Sequence, residues 1–193
     1  MPAQPYDITR DQTENLMHTL GFAKAVGLTL RVMATGLFFA AVPCNSYTFL
    51  SSGTHGRSEG RPFGRECYGF VHDGTVLAAR VALLAALSIA RQVQWFCENP
   101  LRTTVTYHPY IAHLLQMAPT QPTVVSWHMG NFGGWSAKPQ VGFGNAGWMP
   151  WLQRPMRKGL RLLLKQRREF QGGKEMVKTT IKKNRAGEEV RQV

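Results

Sequence analysis

The chain has 193 residues, of which 44% are hydrophobic and 18% charged, a composition that excludes disordered and collagen-like proteins and is typical of one globular domain. Its net charge of +12 favours a polyanion or an anionic surface as partner. Cys44, Cys67 and Cys97 are odd in number and lack CxxC spacing, which excludes an internal disulfide framework and a zinc site. We therefore expect an intracellular, reducing compartment and no metal.

The N-terminal segment and two apolar stretches bear on targeting and membrane insertion. Residues 1–16 lack the basic cluster and apolar run of a secretory signal or transit peptide. The apolar stretches 25–42 and 76–90 are interrupted by Arg31 and Arg80. An arginine within the hydrocarbon layer costs on the order of 3 kcal/mol. The sequence therefore predicts core elements rather than membrane-spanning helices.

The hydrophobic pattern alternates between helices and strands along the first 130 residues. A helix from about Gln12 to Met33 precedes the strand Gly36 to Val42, whose apolar run GLFFAAV is typical of a central strand covered on both faces. A polar loop from Cys44 to about Asp73 follows. The later predicted elements are a helix from Thr75 to Arg91, a strand from Val93 to Cys97, a helix from His108 to Met117 and a strand from Thr123 to Met129. This alternation predicts an α/β domain with a parallel sheet and crossover helices.

The positive charge is concentrated near the C-terminus. Residues 154–193 contain 13 Lys or Arg and 4 Glu, a net charge of +9, which leaves +3 for the preceding residues. Pro155 can begin a helix. The apolar stripe of this predicted helix comprises Met156, Leu160, Leu163 and Leu164, with basic residues on either side. We predict a body at 1–153 and a basic helix and tail at 154–193, either solvated with one docked helix or extended along nucleic acid phosphates or acidic lipid.

Two reactive side chains follow neighbouring predicted strands. Cys44 comes directly after the first strand and Glu98 directly after the second. Because ligands of α/β sheets bind at the carboxyl ends of the strands, this thiol and this carboxylate are placed to reach one substrate. The pair predicts a nucleophile and a proton donor or hydrogen-bond partner. The alternatives are that Cys44 is a small buried hydrophobe and that Glu98 caps the next segment or pairs with Arg102.

The residues around this pair resemble those of a known family. The segment Pro43-Cys44-Asn45-Ser46-Tyr47-Thr48 resembles the Pro-Cys-Gln-x-Phe-Ser loop of the cytosine-5 DNA methyltransferases, and Glu98-Asn99-Pro100 resembles their Glu-Asn-Val. The chain is also similar, more diffusely along its length, to uncharacterised algal proteins that carry a PC...GTS.R...EQP pattern and a later WMG.fGG..KP stretch, which corresponds to residues 127–139 here. The resemblance implies a partial Rossmann-like methyltransferase sheet that lacks its first strands, because no glycine-rich cofactor loop precedes the Pro-Cys motif.

The resemblance also implies a covalent mechanism. Cys44 would add as a thiolate to C6 of a flipped-out cytosine, Glu98 would protonate the ring at N3, and C5 would take a methyl group from S-adenosylmethionine. A cation must favour the thiolate, and the same cations can contact phosphates. The candidates for this role are Arg57, Arg61 and Arg65, unless they only form a solvated loop. The other implied contacts are Asn45, Thr48 and Asn99 with the substrate and Asp7 with the cofactor.

Three functions are consistent with these patterns. The first is a degenerate methyltransferase-like fold that serves as a structural or accessory subunit, with protein partners over its exposed sheet edge and a basic tail on a polyanion or partner. The second is an active S-adenosylmethionine-dependent cytosine-5 nucleic acid methyltransferase. The third is a nucleic-acid-binding module, supported by the basic tail.

His108 and His113 are five residues apart on a predicted helix, a poor spacing for a shared metal ion.

Overall fold

The computed structural model describes residues 6–7, 11–134, 136–156, 158–170, 180–183 and 189–192. The chain divides into two compact units. Unit 1 comprises Met1–Trp127 and Pro139–Arg154, and unit 2 comprises His128–Lys138 and Pro155–Val193. Most of the described helices and strands belong to unit 1.

A four-stranded sheet and the helices that cover it form the body of the protein. The helices are α1 (Thr19–Arg31), α2 (Ser52–His55), α3 (Gly69–Ala90) and α4 (Pro109–Met117). The strands are β1 (Leu37–Ala41), β2 (Gln94–Pro100), β3 (Thr123–His128) and β4 (Pro139–Gly144). Their order in the sheet is β1-β2-β4-β3. The chain is therefore a mixed α/β protein, as the alternating pattern predicted.

The prediction of a wholly parallel sheet is wrong. β1 and β2 are parallel, but β4 runs antiparallel to β2, with Cys97 opposite Phe143. The sequence did not predict β4, because its proline and two glycines are typical of turns. A Cβ on Gly142 would lie 2.4 Å from the Phe96 ring, and one on Gly144 would lie 2.1 Å from the Trp95 carbonyl oxygen. Close packing against β2 therefore explains both glycines.

The prediction that the first strand is central and covered on both faces is also wrong. β1 lies at one edge of the sheet. Leu37 and Phe39 are 40% and 55% exposed, although the Phe39 ring stacks on Phe96 with 5.6 Å between centroids. An apolar run does not distinguish a strand buried on both faces from an edge strand, since the number of neighbouring strands depends on the rest of the chain.

The two faces of the sheet contribute to different parts of the core, because successive strand side chains point to opposite faces. Trp95 and Cys97 of β2 pack in one cluster with residues of α3 and α4, whereas Phe96 packs in a second. The helix residues of the first cluster are Ala78, Val81, Ala82, Ala85, Ile111 and Leu114. The second cluster contains Val125, Trp127, Ala146 and Met149 as well.

The single helix predicted from Gln12 to Met33 is instead a short 3₁₀ helix, Gln12–Glu14, followed by α1. Asn15 separates them, because its Oδ1 accepts a hydrogen bond from the Met17 backbone N–H at 2.8 Å and stabilises a turn. The buried Glu14 carboxylate holds the two elements together through Lys24 of α1, with 3.4 Å between Oε1 and Nζ.

α3 is longer than predicted, since it begins at Gly69 rather than Thr75. Within the described residues it is the one helix whose length and composition would allow it to cross a membrane, and 39% of its apolar window is buried. Its Arg80 donates a hydrogen bond to the His18 carbonyl at 3.3 Å and lies over the Phe22 ring. The core helix of a water-soluble protein has the same length and composition, so this finding does not identify a membrane span.

Unit 2 contains the basic helix α5 (Lys158–Phe170) and two short strands, β5 (Thr180–Lys183) and β6 (Glu189–Gln192). β5 and β6 are antiparallel and were not predicted. Leu164 of α5 is buried, and its Cδ1 would lie 2.3 Å from a Cβ placed on Gly130. α5 thus packs against the short 3₁₀ helix at 129–132, and Gly130 permits the close approach because it has no side chain.

Candidate functional site

Two of the predicted site residues, Cys44 and Glu98, lie near the carboxyl ends of β1 and β2. Ala41, the last residue of β1, is in register with Glu98 of β2. Cys44 follows three residues after Ala41 and begins a 3₁₀ helix, in which its carbonyl accepts hydrogen bonds from Tyr47 at 3.0 Å and Thr48 at 2.9 Å. Cys44 and Glu98 are both half-buried. The structure thus brings the thiol and the carboxylate to the same edge.

The other two cysteines lie in different surroundings. Cys97 is fully buried in the core, and this burial raises the pKa of its thiol to about 12. A thiol held in its protonated form is a poor nucleophile. Cys67 is exposed in the loop before α3. Cys44 is therefore the cysteine that combines access with a place at the sheet edge.

Asn99, a predicted substrate contact, is buried and joins the segments that follow β1 and β2. Its Nδ2 donates to the Val42 carbonyl at 2.9 Å, and its Oδ1 accepts from Thr103 Oγ1 at 2.7 Å. The Thr104 backbone N–H donates in turn to the Tyr47 carbonyl at 2.8 Å. The geometry gives Asn99 a structural role, with its amide already hydrogen-bonded within the chain.

Asn99→Ala is expected to lower the free energy of unfolding by about 1–2 kcal/mol, because the Val42 carbonyl would lose its donor. Asn45→Ala is the matched control. Asn45 is exposed, and its Oδ1 accepts a bond from the adjacent Ser46 N–H. Its replacement should change stability by less than about 0.5 kcal/mol. Urea denaturation followed by circular dichroism compares the two, and equal midpoints would contradict a structural role for Asn99.

Arg57, a predicted phosphate contact, is 4% exposed and binds backbone carbonyls. Its Nε donates to the Ser46 carbonyl at 2.8 Å and its Nη1 to the Pro62 carbonyl at 2.8 Å. Its Nη2 donates to the Val71 carbonyl at 2.6 Å and to Thr75 Oγ1 at 3.1 Å. The guanidinium therefore ties the loop after β1 to the first turns of α3, a task that matches its fixed fork of donors.

The surroundings of Arg57 are aromatic and poorly solvated. Its guanidinium carbon lies 4.2 Å from the centroid of the Tyr47 ring, within the range of a cation–π contact. Burial lowers the pKa of Arg57. Burial also raises the pKa of Tyr47 to about 12, against the effect of the arginine's charge, and the Tyr47 hydroxyl donates to the Gly74 carbonyl at 2.9 Å. Both side chains fix the loop to α3.

Two buried histidines lie in the same region. His55 Nδ1 accepts the Arg57 backbone N–H at 2.9 Å, and Nε2 lies 3.0 Å from the Thr48 carbonyl, so the proton of the neutral ring is on Nε2. His108, which precedes α4, is fully buried between the rings of Phe63 and Tyr110. Neither of its ring nitrogens has a hydrogen-bond partner among the described residues.

The pKa of His108 is lowered to about 4, mainly by burial and further by the positive charge of Arg57. The Thr75 backbone and the Glu66 carboxylate act in the opposite direction. The ring is therefore neutral at physiological pH. A neutral, enclosed imidazole is suited to packing, although it keeps the capacity to take up a proton if the enclosure opens.

The remaining predicted site residues are Arg61, Arg65, Thr48 and Asp7. Arg61 is exposed, and Arg65 is exposed with its Nη1 3.1 Å from the Gly53 carbonyl. Thr48 is half-buried. Asp7 is exposed in the N-terminal segment, where its backbone N–H donates to Glu14 Oε2 at 2.9 Å. Neither described residue of that segment, 6 or 7, belongs to a strand.

Sequence reasoning did not identify the buried hub of Tyr47, His55, Arg57 and His108. One signal was present, since Gly64 has a φ of 64° and a Cβ there would lie 2.3 Å from the His55 carbonyl oxygen. A glycine required in a polar loop indicates a compact, packed loop rather than a solvated one.

Among the described residues, no three His, Cys, Asp or Glu side chains group as a metal site.

No protein-family model, curated protein or solved structure matches this chain. Function must therefore be inferred from the geometry of the sheet edge and from the charge and exposure of the surface.

Proposed function

We propose that this protein is a structural or accessory subunit of a larger assembly, built on a degenerate methyltransferase-like fold. The observation that carries the proposal is the use of the buried polar side chains at the predicted site. Asn99 and Arg57, which the resemblance assigned to substrate, donate instead to backbone carbonyls of their own chain. These two side chains are therefore engaged in holding the fold together.

The exposed apolar side chains support a role in an assembly. Phe39 is 55% exposed on the edge strand β1, whose outer side pairs with no other strand among the described residues. Beyond the same strand, Phe49 and Leu50 are 60% and 94% exposed in neighbouring positions. Single exposed apolar residues are ordinary, but an exposed aromatic side chain on an edge strand and two exposed apolar side chains adjacent in the chain are typical of surfaces that partner proteins cover.

The residues that would hold S-adenosylmethionine do not fit that cofactor. In methyltransferases of the resembled family the cofactor loop precedes the Pro-Cys motif. In the described part of this chain no strand precedes β1, which ends the sheet on that side. Asp7 lies in the N-terminal segment beside Glu14. We therefore derive no chemical step through this cofactor.

The proposal is tested by measuring cofactor binding and covalent capture together. Saturating S-adenosylmethionine should leave the thermal midpoint unchanged, whereas a ligand at about 100 times its Kd would stabilise the fold by about 2.7 kcal/mol. An oligonucleotide with 5-fluorocytosine should form no adduct in the presence of the cofactor.

The isolated chain should self-associate, and Phe39→Lys should reduce that association. A stabilised, monomeric chain with an adduct would contradict the proposal.

The alternative of an active cytosine-5 methyltransferase is favoured by one observation, the register that places Cys44 and Glu98 at the same sheet edge. The covalent capture experiment distinguishes it. An adduct that Cys44→Ala abolishes and that Cys67→Ala leaves intact would favour the enzyme. Cys67 is the matched control because its thiol is exposed and belongs to the loop before α3 rather than to a segment that follows a strand.

A nucleic-acid-binding module is the other alternative, and the net charge of +9 over residues 154–193 favours it. Such binding neutralises phosphates, so its affinity falls steeply with salt. Filter binding of an RNA homopolymer over a range of salt concentrations distinguishes a module of this kind from a subunit that binds protein.

A further inference from the structure

α5 combines exposed leucines with basic residues on one surface. Leu162 and Leu163 are 58% and 57% exposed, and Lys158 and Arg161 are exposed as well. Only part of the helix's apolar surface is therefore used within unit 2, where Leu164 is buried beside Gly130.

The helical geometry places this surface on the side of α5 that points away from Gly130. Successive residues of an α-helix are about 100° apart, so Leu162 lies roughly opposite the buried Leu164. Lys158 is one turn before Leu162 and shares its side, because residues four apart are neighbours on a helix. Leu163 and Arg161 lie on opposite sides of the row formed by Lys158 and Leu162. The outward surface thus carries Leu162 with Lys158 and Arg161 on one side of it and Leu163 on the other.

We propose that this surface of α5 binds an anionic lipid surface, with the helix lying along the membrane interface. The argument is charge complementarity combined with exposed apolar area. Acidic headgroups are attracted by Lys158, Arg161 and the net charge of +9 over residues 154–193. The exposed side chains of Leu162 and Leu163 can insert into the apolar layer beneath those headgroups. Phosphates of nucleic acid would satisfy the cations but would leave the leucines in water, so a bilayer surface matches both features.

This inference rests on the proposed function in one respect, the prediction from the sequence that the basic tail of such a subunit contacts a polyanion or partner. It names the chemistry of that polyanion as acidic phospholipid. The binding surface lies within unit 2, so it is independent of the cofactor and of Cys44. Failure of the lipid experiment would leave the results for S-adenosylmethionine and the covalent adduct unchanged, and the two proposals can fail separately.

The experiment is co-sedimentation of the full chain with vesicles of phosphatidylcholine and with vesicles that also contain phosphatidylserine. We expect binding to the second and little to the first. Leu162→Gln combined with Leu163→Gln keeps the charge and should weaken binding by at least about tenfold, since two apolar side chains no longer enter the bilayer. The matched control is Leu28→Gln with Leu30→Gln, exposed leucines of α1, which should bind as the wild type does.

A second variant and a measurement of RNA binding complete the test. Lys158→Gln with Arg161→Gln should weaken binding to the acidic vesicles and reduce its dependence on salt. Equal binding to both kinds of vesicle, or unchanged binding by the double leucine variant, would overturn the inference. So would binding of an RNA homopolymer that is stronger than vesicle binding and indifferent to the leucines, because the tail would then be a nucleic acid arm.

Discussion

Arg57→Met is expected to lower the free energy of unfolding by about 3 kcal/mol. The substitution removes the donors that Arg57 gives to the carbonyls of Ser46, Pro62 and Val71, of which the Val71 carbonyl keeps a hydrogen bond from Thr75 Oγ1. A buried acceptor left unsatisfied costs about 1–3 kcal/mol, and water can enter to relieve part of the loss. Arg57→Lys should recover less than half of the effect, because one ammonium cannot reach three separate segments in the geometry of a guanidinium. Urea denaturation provides the measurement.

The matched controls are the two exposed arginines of the same loop. Arg61→Met and Arg65→Met should each change stability by less than about 0.5 kcal/mol, because their side chains lie largely in water. All three positions were predicted as phosphate contacts, so the comparison separates a structural arginine from solvated ones. Equal stability of the three variants would contradict the role assigned to Arg57 as the anchor between the loop and α3.

The end of β1 was predictable because it depends on a local pattern. An apolar run that stops at Pro43 places Cys44 just beyond β1, whereas Glu98, predicted to follow the second strand, lies inside β2, which continues to Pro100. The parallel pairing of these strands then brings both residues to one edge. Helices α3 and α4 were predicted for the same reason, since their apolar spacing is visible within a short window.

The fate of the polar residues was not predictable, because it depends on contacts between distant segments. Hydropathy treats a loop arginine as solvated, and only the packed loop shows that Arg57 bonds to Val71, 14 residues away. Asn99 reaches Val42 across 57 residues. The sequence did not predict β4, since the ring of Phe96 that requires Gly142 belongs to another strand. Tertiary packing decided each of these cases.

The stability of the wild type should fall by about 2 kcal/mol between pH 7.5 and pH 5, with His108 as the main cause. The unfolded chain takes up a proton near the ordinary pKa of 6.5, whereas the folded chain does so only near pH 4, because burial and Arg57 lower the pKa of this ring. The unfolded state therefore binds more protons as the pH falls through this window, and folding becomes less favourable. Thermal and urea denaturation at several pH values measure the slope.

His108→Leu should remove most of that slope. Leucine is similar in size and carries no nitrogen atoms that lack partners, so at pH 7.5 the variant should be at least as stable as the wild type. His113→Leu is the control, because His113 is exposed on α4 and should leave the slope unchanged. A slope that persists in His108→Leu would mean that another group controls acid stability. In that case the enclosure of His108 by Phe63 and Tyr110 would have to be open enough for water to solvate the charged ring.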